Sequence, residues 1–366
     1  MYKKGENKML KVYDGTKFFN GKDLIEQKAK YTIVISERNN GKSFWFLQKC
    51  VCDYFNDGLQ FGYVRRYKDE TKNMRIDDYF TDINFLHWLK KNTGYDGIIS
   101  DKGKLFFIKK KGSKKEKCEK FGNYFALQAQ EDYKSLHFDE IGNVIFEEFI
   151  TKEKPYLKDE FTEFMHLIST ISRGRQISVY MLGNTIARDC PHLLEYGIDI
   201  FKAQQDKIIN INHHSNNGDV KVSFLYATPK STANMFFGKS EKTIVGGEWE
   251  TDEYPHLFCE LTEVEKIYTF YMITKLRQAF KMVMFCHEKH GTFVYVYPYD
   301  YEEIPYTLGA DIFTDTFSLE ENYFIHPKRK RHFRIMELYK QDKFVYSTNL
   351  CGTEFTRALK KYNPFK

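Results

Sequence analysis

Residues 31–46 read YTIVISERNNGKSFWF, and this stretch decides the fold. Residues 31–36 are mostly β-branched or apolar, as in a buried strand, and from Gly41 onward apolar residues recur at helical spacing. The polar loop between them ends in Gly41-Lys42-Ser43. A strand, a tight loop and a helix in this order predict a phosphate-binding loop, because backbone N–H groups at a helix N-terminus attract anions.

The loop contains the side chains that a bound triphosphate needs. Lys42 would reach the β and γ phosphates, and the Ser43 hydroxyl would ligate magnesium. Ser36 stands where the longer form of the pattern has its first glycine, so the match rests on the shorter G-K-S form. The alternative is a strand-to-helix turn with an exposed lysine.

A second, acidic motif reads LHFDE at residues 136–140. We interpret residues 134–142 as a short apolar strand that ends in two carboxylates. Asp139 would hold magnesium through water, and Glu140 would act as the general base that polarises the attacking water. The alternative is an exposed strand end that happens to carry two acids.

Strands alternate with helices along the first part of the chain. The apolar runs at 59–67 and 176–184 predict strands, and the segments at 77–91 and 158–172 predict helices. This order predicts an α/β fold with a mostly parallel sheet and helices on both faces. Ligands of such sheets bind at the carboxyl ends of the strands, which is where both motifs fall in this interpretation.

The length of 366 residues exceeds that of one typical core, which favours two domains. Residues 209–247 begin with a polar stretch rich in Asn and Gly. We therefore predict a nucleotide-binding domain over 1–208, a linker over 209–247 and a smaller C-terminal domain over 248–366.

The amino-acid composition indicates the cellular compartment of the protein. The seven cysteines are scattered and odd in number, which favours free thiols in a reducing environment. No apolar run approaches the roughly 18 residues needed to cross a bilayer. We expect a cytosolic protein that does not bind membranes.

Basic residues are concentrated in two places. Residues 104–127 predict a hairpin around a Gly-Ser turn, and residues 101–120 contain nine lysines and three acids. Residues 326–334 form a second basic cluster. Both fit sequence-independent contact with DNA phosphates, although a solvated lysine-rich turn is the alternative for the hairpin. The candidate DNA-binding residues are Lys109, Lys110, Lys111, Lys114, Lys115, Lys117, Lys328, Arg329, Lys330 and Arg331.

These motifs together resemble those of the viral DNA-packaging ATPases, the large-terminase-like motors, in the short form found in small short-tailed phages with protein-primed genomes. The likeness rests on the R-x-x-G-K-S loop, the h-h-F-D-E motif and the small C-terminal domain. It implies an additional-strand P-loop NTPase that uses ATP and Mg²⁺ to move double-stranded DNA into a preformed capsid. It also implies a homo-oligomeric ring, often a pentamer, at the portal vertex in the host cytoplasm, with the portal, the procapsid and a structural RNA as further partners.

The resemblance also implies roles for single residues. Arg38 matches an arginine within the family's loop, Asn184 matches a polar sensor position, and Arg173 matches an arginine finger that enters a neighbouring subunit's site. Arg175 is the second candidate for that finger. The nucleotide-binding set that follows is Arg38, Asn39, Asn40, Gly41, Lys42, Ser43 and Asn184.

Large terminases end in an RNase H-like nuclease whose first strand carries a metal-binding aspartate. The matching stretch here, residues 282–287, reads MVMFCH and has no acid, although Asp300, Asp311 and Asp315 follow. We expect an α+β, degenerate RNase H-like domain that binds nucleic acid without cutting it. The alternatives are a terminase with an active metal-dependent nuclease, and a nucleic-acid-binding P-loop protein of another role, helicase-like or non-hydrolysing.

Overall fold

The computed structural model divides the chain into two compact units, each with its own sheet. The first comprises residues 1–186 and 191–248, and the second comprises 187–190 and 249–366. The residues described by the structure are 9–12, 18–151, 155–188, 190–215, 218–228, 249, 251–274, 277–305, 312–314 and 330–362.

The first unit is built on a nine-stranded sheet with the order β3-β4-β5-β2-β6-β7-β1-β9-β8. The six central strands, β5, β2, β6, β7, β1 and β9, are parallel to one another. At the edges, β3, β4 and β8 are added through antiparallel pairs. The mostly parallel α/β sheet predicted from the sequence is confirmed. Its strands are β1 (Tyr31–Ser36), β2 (Gln60–Arg65), β3 (Gly97–Asp101), β4 (Lys104–Lys111), β5 (Lys114–Ala126), β6 (Ile141–Glu147), β7 (Ser178–Asn184), β8 (Ile208–His213) and β9 (Val220–Tyr226).

Helices connect these strands. The predicted helix at 77–91 is two helices, because the Asp82 carboxylate accepts a hydrogen bond from Phe85 N at 2.8 Å and caps a new helix there. The helices are α1 (Lys22–Glu26), α2 (Lys42–Asp57), α3 (Asn73–Asp78), α4 (Ile83–Thr93), α5 (Glu160–Ser172) and α6 (Pro191–Glu195), with 3₁₀ turns at Lys68–Thr71 and Leu127–Tyr133.

An aromatic core holds β1 and α2 in place. All six residues of β1 are buried, which is expected of a central parallel strand covered on both faces. Trp45 and Phe46 on α2 are at most 3% exposed, and Phe46 lies 4.8 Å from Tyr180 of β7 between ring centroids. The segment on either side of the polar loop is therefore rigidly supported.

The predicted strand at 134–142 is wrong. The chain forms a 3₁₀ turn over Leu127–Tyr133 and no regular strand until β6 begins at Ile141. The run LHF at 136–138 is too short to cover a buried strand, and Leu136 is 48% exposed. The longer apolar run that starts at Ile141 takes the central position in the sheet instead.

The predicted linker is also contradicted over residues 209–226, which include most of β8 and all of β9. β9 pairs in parallel with β1, and β8 pairs with β9 at the sheet edge. β8 is polar because an edge strand faces solvent on one side, and the Asn/Gly-rich residues follow it before β9. The later part of the predicted linker, residues 229–247, lies outside the described residues.

The second unit has a five-stranded mixed sheet with the order β13-β10-β11-β12-β14. One face packs on two helices through a core that includes Phe270, Met282, Leu338 and Phe355. The elements are β10 (Val264–Ile273), β11 (Ala279–His287), β12 (Gly291–Tyr299), β13 (Ile312–Thr314), α7 (Lys330–Lys340), β14 (Phe344–Tyr346) and α8 (Asn349–Tyr362), with 3₁₀ turns at Leu261–Glu263 and Tyr301–Glu303.

Within the described ranges, no helix combines the length and the apolar character that crossing a bilayer requires. The longest of them, α2, has 16 residues and carries several charged side chains.

Candidate functional site

The polar loop runs from the end of β1 at Ser36 to the start of α2 at Lys42. Two of its residues have left-handed backbones, Asn39 with φ of +64° and Gly41 with φ of +88°. A Cβ at Gly41 would also come within 3.0 Å of the Phe18 Cβ atom. Left-handed residues turn successive N–H groups toward a common centre, so this loop has the backbone form of an anion-binding nest.

Lys42 is held in one place by three oxygen atoms. Its Nζ donates to Asn184 Oδ1 at 2.7 Å, to Glu37 O at 3.2 Å and to Ser36 Oγ at 3.2 Å. Ser36 is fully buried at the end of β1. The serine that replaces the expected glycine therefore contributes a hydroxyl that positions the lysine.

Burial changes the acidity of this lysine. Desolvation lowers the pKa of Lys42 to about 8, against the opposing effect of the nearby carboxylates of Glu147, Glu37 and Glu148. A bound polyanion would favour the charged form again, which couples ligand binding to the protonation of Lys42.

Two acids lie at the carboxyl end of β6, on the same edge of the sheet as the loop. The parallel register pairs Ser36 of β1 with Asn184 of β7, and Leu182 of β7 with Glu147 of β6. Glu147 and the next residue, Glu148, therefore end level with the loop, two strand spacings of about 4.8 Å away. A cavity of about 490 Å³ is lined by Arg38, Asn39, Asn40, Gly41, Lys42, Ser43, Glu147, Glu148 and Asn184, together with aromatic side chains.

Asp139 and Glu140 do not reach this cavity, and the metal and general-base roles predicted for them are wrong. They precede β6, so they lie at the amino end of the strand, the opposite edge of the sheet from Lys42. The Glu140 carbonyl accepts from Gln60 N at 2.8 Å, at the start of β2, and its carboxylate is bonded to the Gln60 side-chain amide. The sequence carries one pair of acids before this strand and another pair after it.

Buried side chains at the end of β2 position the two acids, and the sequence analysis did not identify them. The Tyr63 hydroxyl donates to Glu147 Oε2 at 2.6 Å. The Arg65 guanidinium donates to Glu148 Oε2 at 2.5 Å and lies 4.9 Å from the centre of the Tyr79 ring. Glu148 has a left-handed backbone with φ of +53°, an unusual conformation for glutamate that clusters at functional sites.

The donor atoms in the cavity suit a hard divalent cation. Ser43 and Glu147 supply hydroxyl and carboxylate oxygens, the ligand type that magnesium prefers. Glu147 is half-buried and fixed by Tyr63, whereas Glu148 is 54% exposed at its side chain. The two carboxylates thus differ in exposure and in partner: Glu147 is bonded to Tyr63, and the more exposed Glu148 is bonded to Arg65.

Arg173 and Arg175 lie before β7, at the edge of the sheet opposite the cavity. Arg175 donates to the carbonyls of Ile141, Phe138 and Ile171 at 2.9–3.1 Å, so it braces the chain around the start of β6. Arg173 is exposed and donates to Leu136 O at 2.9 Å. Neither arginine lines the cavity.

The lysine-rich hairpin is formed by β4 and β5 around Gly112 and Ser113, as predicted. All six candidate lysines in it are exposed. Lys111 pairs with Glu116 at 2.7 Å and Lys117 with Asp101 at 2.6 Å. Of the second basic cluster, Lys328 and Arg329 lie outside the described residues, and Lys330 and Arg331 open α7, where their side chains are not described.

The second unit has no carboxylate on β11, in agreement with the sequence. Asp300 caps the 3₁₀ turn Tyr301–Glu303 by accepting from Glu302 N at 2.9 Å. Asp311 and Asp315 lie outside the described residues.

The sequence is similar to a known protein family and to several phage proteins. Residues 13–221 match the profile of the Podovirus DNA encapsidation protein (Gp16) family. The chain is 24% identical over 206 residues to the DNA packaging protein of Bacillus phage phi29, covering 54% of this chain and 57% of that protein. It is 28% identical over 168 residues to the DNA packaging protein of Bacillus phage B103, covering 45% of this chain and 47% of that protein. The alignments thus span about half the length of these curated relatives.

A solved structure shares the overall fold. The bacteriophage phi29 viral genome packaging motor assembly matches with a TM-score of 0.53 and 13% identity, covering 95% of this chain and 100% of that chain. At this level of identity the match concerns the fold alone.

Proposed function

Since the chain belongs to the Podovirus DNA encapsidation protein (Gp16) family, we propose that it is the ATPase of a DNA packaging motor. In this proposal it hydrolyses ATP with Mg²⁺ to drive double-stranded DNA into a preformed capsid. The observation that carries the proposal is a buried lysine and two carboxylates that share one cavity at the carboxyl edge of a parallel sheet. The placement of β7 between β1 and β6 supports an additional-strand P-loop core.

The loop, the hydroxyl and the two carboxylates of the cavity each have a role in this mechanism. The loop from Arg38 to Ser43 would bind the phosphates, with the charged Lys42 on the β and γ groups. Ser43 and Glu147 would hold Mg²⁺, which supplies charge neutralisation at the phosphates when bound. Glu148 would orient and deprotonate the attacking water as general base.

Arg65 is a positioning residue for that base. Its bond to the Glu148 carboxylate at 2.5 Å satisfies the group that must later accept a proton from water. While this bond lasts, Glu148 Oε2 accepts from Arg65 and not from a water molecule. Release of Glu148 from Arg65 therefore accompanies activation in this proposal, and Asn184, bonded to Lys42, would report the loss of the γ phosphate to β7.

Tyr63→Phe should raise the Mg²⁺ concentration needed for half-maximal hydrolysis by about 10-fold, because partners behind a metal ligand typically contribute 10–100-fold to metal affinity or activity. The change removes only the hydroxyl that donates to Glu147. A Mg²⁺ titration of the ATPase rate measures the effect. Tyr31→Phe is the matched control, since Tyr31 is buried in β1 and its hydroxyl contacts Met165 Sδ. An unchanged Mg²⁺ curve for Tyr63→Phe would remove Tyr63 from the mechanism.

ATP affinity should fall as the pH rises above about 8, where the free protein loses the Lys42 proton. The folded pKa is lowered from its usual value, so the lysine is charged below about pH 8 and neutral above it. The expected slope is roughly tenfold in affinity per pH unit until the pKa of the bound state is reached. Calorimetry at constant ionic strength measures it. Lys42→Arg should bind more weakly but without this slope, because arginine stays charged; a flat curve for the native protein contradicts the role of Lys42.

The lysine hairpin is proposed to contact DNA phosphates. Lys114 and Lys115 directly follow the turn, at the start of β5, and form no ion pair within the described part of the chain. Replacing both by Ser should reduce the slope of log affinity against log salt by about 2, since each phosphate contact contributes roughly 0.9. A filter-binding series on duplex DNA measures the slope. The control is the pair Lys202 and Lys207, exposed lysines outside the hairpin, whose replacement should leave the slope unchanged.

The remaining features are proposed on the family resemblance. The first is a homo-oligomeric ring, which is often a pentamer in the family that the sequence resembles. The ring would lie at the portal of the procapsid in the host cytoplasm. A structural RNA would be a further partner. The second unit is proposed as a degenerate RNase H-like domain that binds without cutting. Three antiparallel strands with parallel β13 beside them, and the lack of an acid on β11, support this assignment.

The ATPase rate with and without duplex DNA, across a salt series, tests the proposed function. A motor should be stimulated by DNA, and the stimulation should fade as salt rises. Hydrolysis that ignores DNA at every salt concentration would indicate a different P-loop enzyme. Metal-dependent nicking of duplex DNA would instead favour the terminase with an active nuclease.

A further inference from the structure

Three side chains of metal-binding types lie close together in the second unit. Cys259, Glu263 and His287 each offer one donor atom, and the three atoms lie within 4.8 Å of one another. Zinc binds thiolate, imidazole and carboxylate at about 2.0–2.3 Å, which places the ligand atoms of a tetrahedral site roughly 3–4 Å apart. We propose that these three residues bind a zinc ion. The inference does not depend on the proposed ATPase function.

The β-ladder brings the donors together. Cys259 lies just before the 3₁₀ turn Leu261–Glu263 that leads into β10, and Glu263 is the last residue of that turn. Val264, the first residue of β10, pairs with His287, the last residue of β11. Because Glu263 is adjacent to Val264, the ladder fixes the imidazole next to the carboxylate. Zinc would thus join the turn before β10 to the hairpin that follows β11.

Local hydrogen bonds bear on how the ligands would bind. Glu263 Oε2 accepts from Glu260 N at 3.1 Å, which fixes the carboxylate and leaves its other oxygen for a metal. His287 Nδ1 accepts from Lys289 N at 3.1 Å and from His290 N at 3.3 Å. Coordination through Nε2 would move the ring proton to Nδ1, so these two bonds must give way. Both donors lie in an exposed turn, where water can accept from them instead.

The donor set selects the type of metal. A thiol and an imidazole suit zinc, whereas magnesium prefers oxygen ligands alone. Three protein ligands leave one tetrahedral position for a water molecule. The site therefore differs in chemistry from the oxygen-lined cavity of the first unit, and the two metals can be distinguished by a thiolate signal.

Cobalt substitution in the full-length protein tests the proposal. We expect one equivalent of Co²⁺ to give a thiolate-to-cobalt charge-transfer band, and Zn²⁺ to remove it by competition. Cys259→Ser should lose the band. Cys286→Ser should keep it, since Cys286 is a half-buried free thiol next to His287 in sequence but outside the cluster. All variants are checked for a native circular dichroism spectrum.

A second measurement does not depend on the thiol. Glu263→Gln alters an exposed side chain and should fold normally, yet it should weaken Zn²⁺ competition at least tenfold, as should His287→Asn. The native protein should also gain thermal stability with Zn²⁺, and these variants should not. The proposal is overturned if the folded native protein gives no thiolate band, or if the band persists in Cys259→Ser.

Discussion

Glu148→Gln should bind ATP with near-native affinity and lose hydrolysis by about 10² to 10⁴-fold. The substitution keeps the shape of the side chain and removes the basic oxygen, and general-base catalysis contributes a factor of this size. The loss corresponds to roughly 3–5 kcal/mol of transition-state stabilisation. Single-turnover hydrolysis in the assembled motor, with ATP binding measured separately, distinguishes loss of chemistry from loss of binding.

Glu140→Gln is the matched control for this prediction. Glu140 is also an acid beside β6, but it lies at the amino end of the strand and bonds to the Gln60 amide. Its replacement should leave the hydrolysis rate within a few-fold of native. If Glu140→Gln abolished hydrolysis and Glu148→Gln did not, the assignment of the catalytic edge of the sheet would be reversed.

Arg173→Ala should leave a folded subunit that binds ATP, with hydrolysis in the assembled ring reduced by about 10³ to 10⁵-fold, or roughly 4–7 kcal/mol. An arginine finger stabilises charge that develops on the transferred phosphoryl group. Arg173 lies at the edge of the sheet opposite the cavity, so a finger role would require the site of a neighbouring subunit in the proposed ring. The structure also gives it fewer backbone bonds than Arg175, which leaves its guanidinium freer to extend.

Arg175→Ala is the comparison. Its three bonds to carbonyls brace the chain around the start of β6, so we expect a lower melting temperature as the main effect. Mixed rings of Arg173→Ala and Glu148→Gln subunits should recover part of the activity wherever an intact finger meets an intact cavity. Normal hydrolysis by Arg173→Ala rings would contradict the assignment of Arg173 as the finger. The finger would then be Arg175 or would not exist in this protein.

Local sequence was sufficient to predict the strand, loop and helix around Lys42. β1 is apolar because it is buried on both faces, and α2 begins at the lysine of the G-K-S pattern. The hairpin around Gly112 and Ser113 could also be predicted from local sequence, since turn residues separate two runs of strand-forming side chains. These features depend on contacts between residues close in sequence.

The sequence analysis placed the acidic partner of the loop before β6, whereas the acids that line the cavity follow β6. Residues 136–138 read LHF and are followed by two acids, but residues 141–146 read IGNVIF, a longer and mostly apolar run, and are followed by Glu147 and Glu148. A buried strand in a parallel sheet needs apolar side chains along most of its length, so the longer run was the better signal.

Other parts of the site could not be predicted from sequence. Tyr63 and Arg65 reach the acids because β2 lies beside β6, and the pairing of strands 80 residues apart leaves no local pattern. The position of β9 beside β1 could not be predicted for the same reason. The polar, Asn/Gly-containing turn before β9 has the composition of a linker. Sheet order is set by long-range packing, which residue spacing alone does not report.

The central claim is that a triphosphate and its Mg²⁺ bind between the Lys42 loop and the end of β6. A structure of the full-length protein with a non-hydrolysable ATP analogue and Mg²⁺ tests it most directly. We expect the γ phosphate next to Lys42 Nζ, the metal beside Ser43 and Glu147, and Glu148 released from Arg65. An analogue bound elsewhere, or metal coordinated by Asp139, would contradict the account.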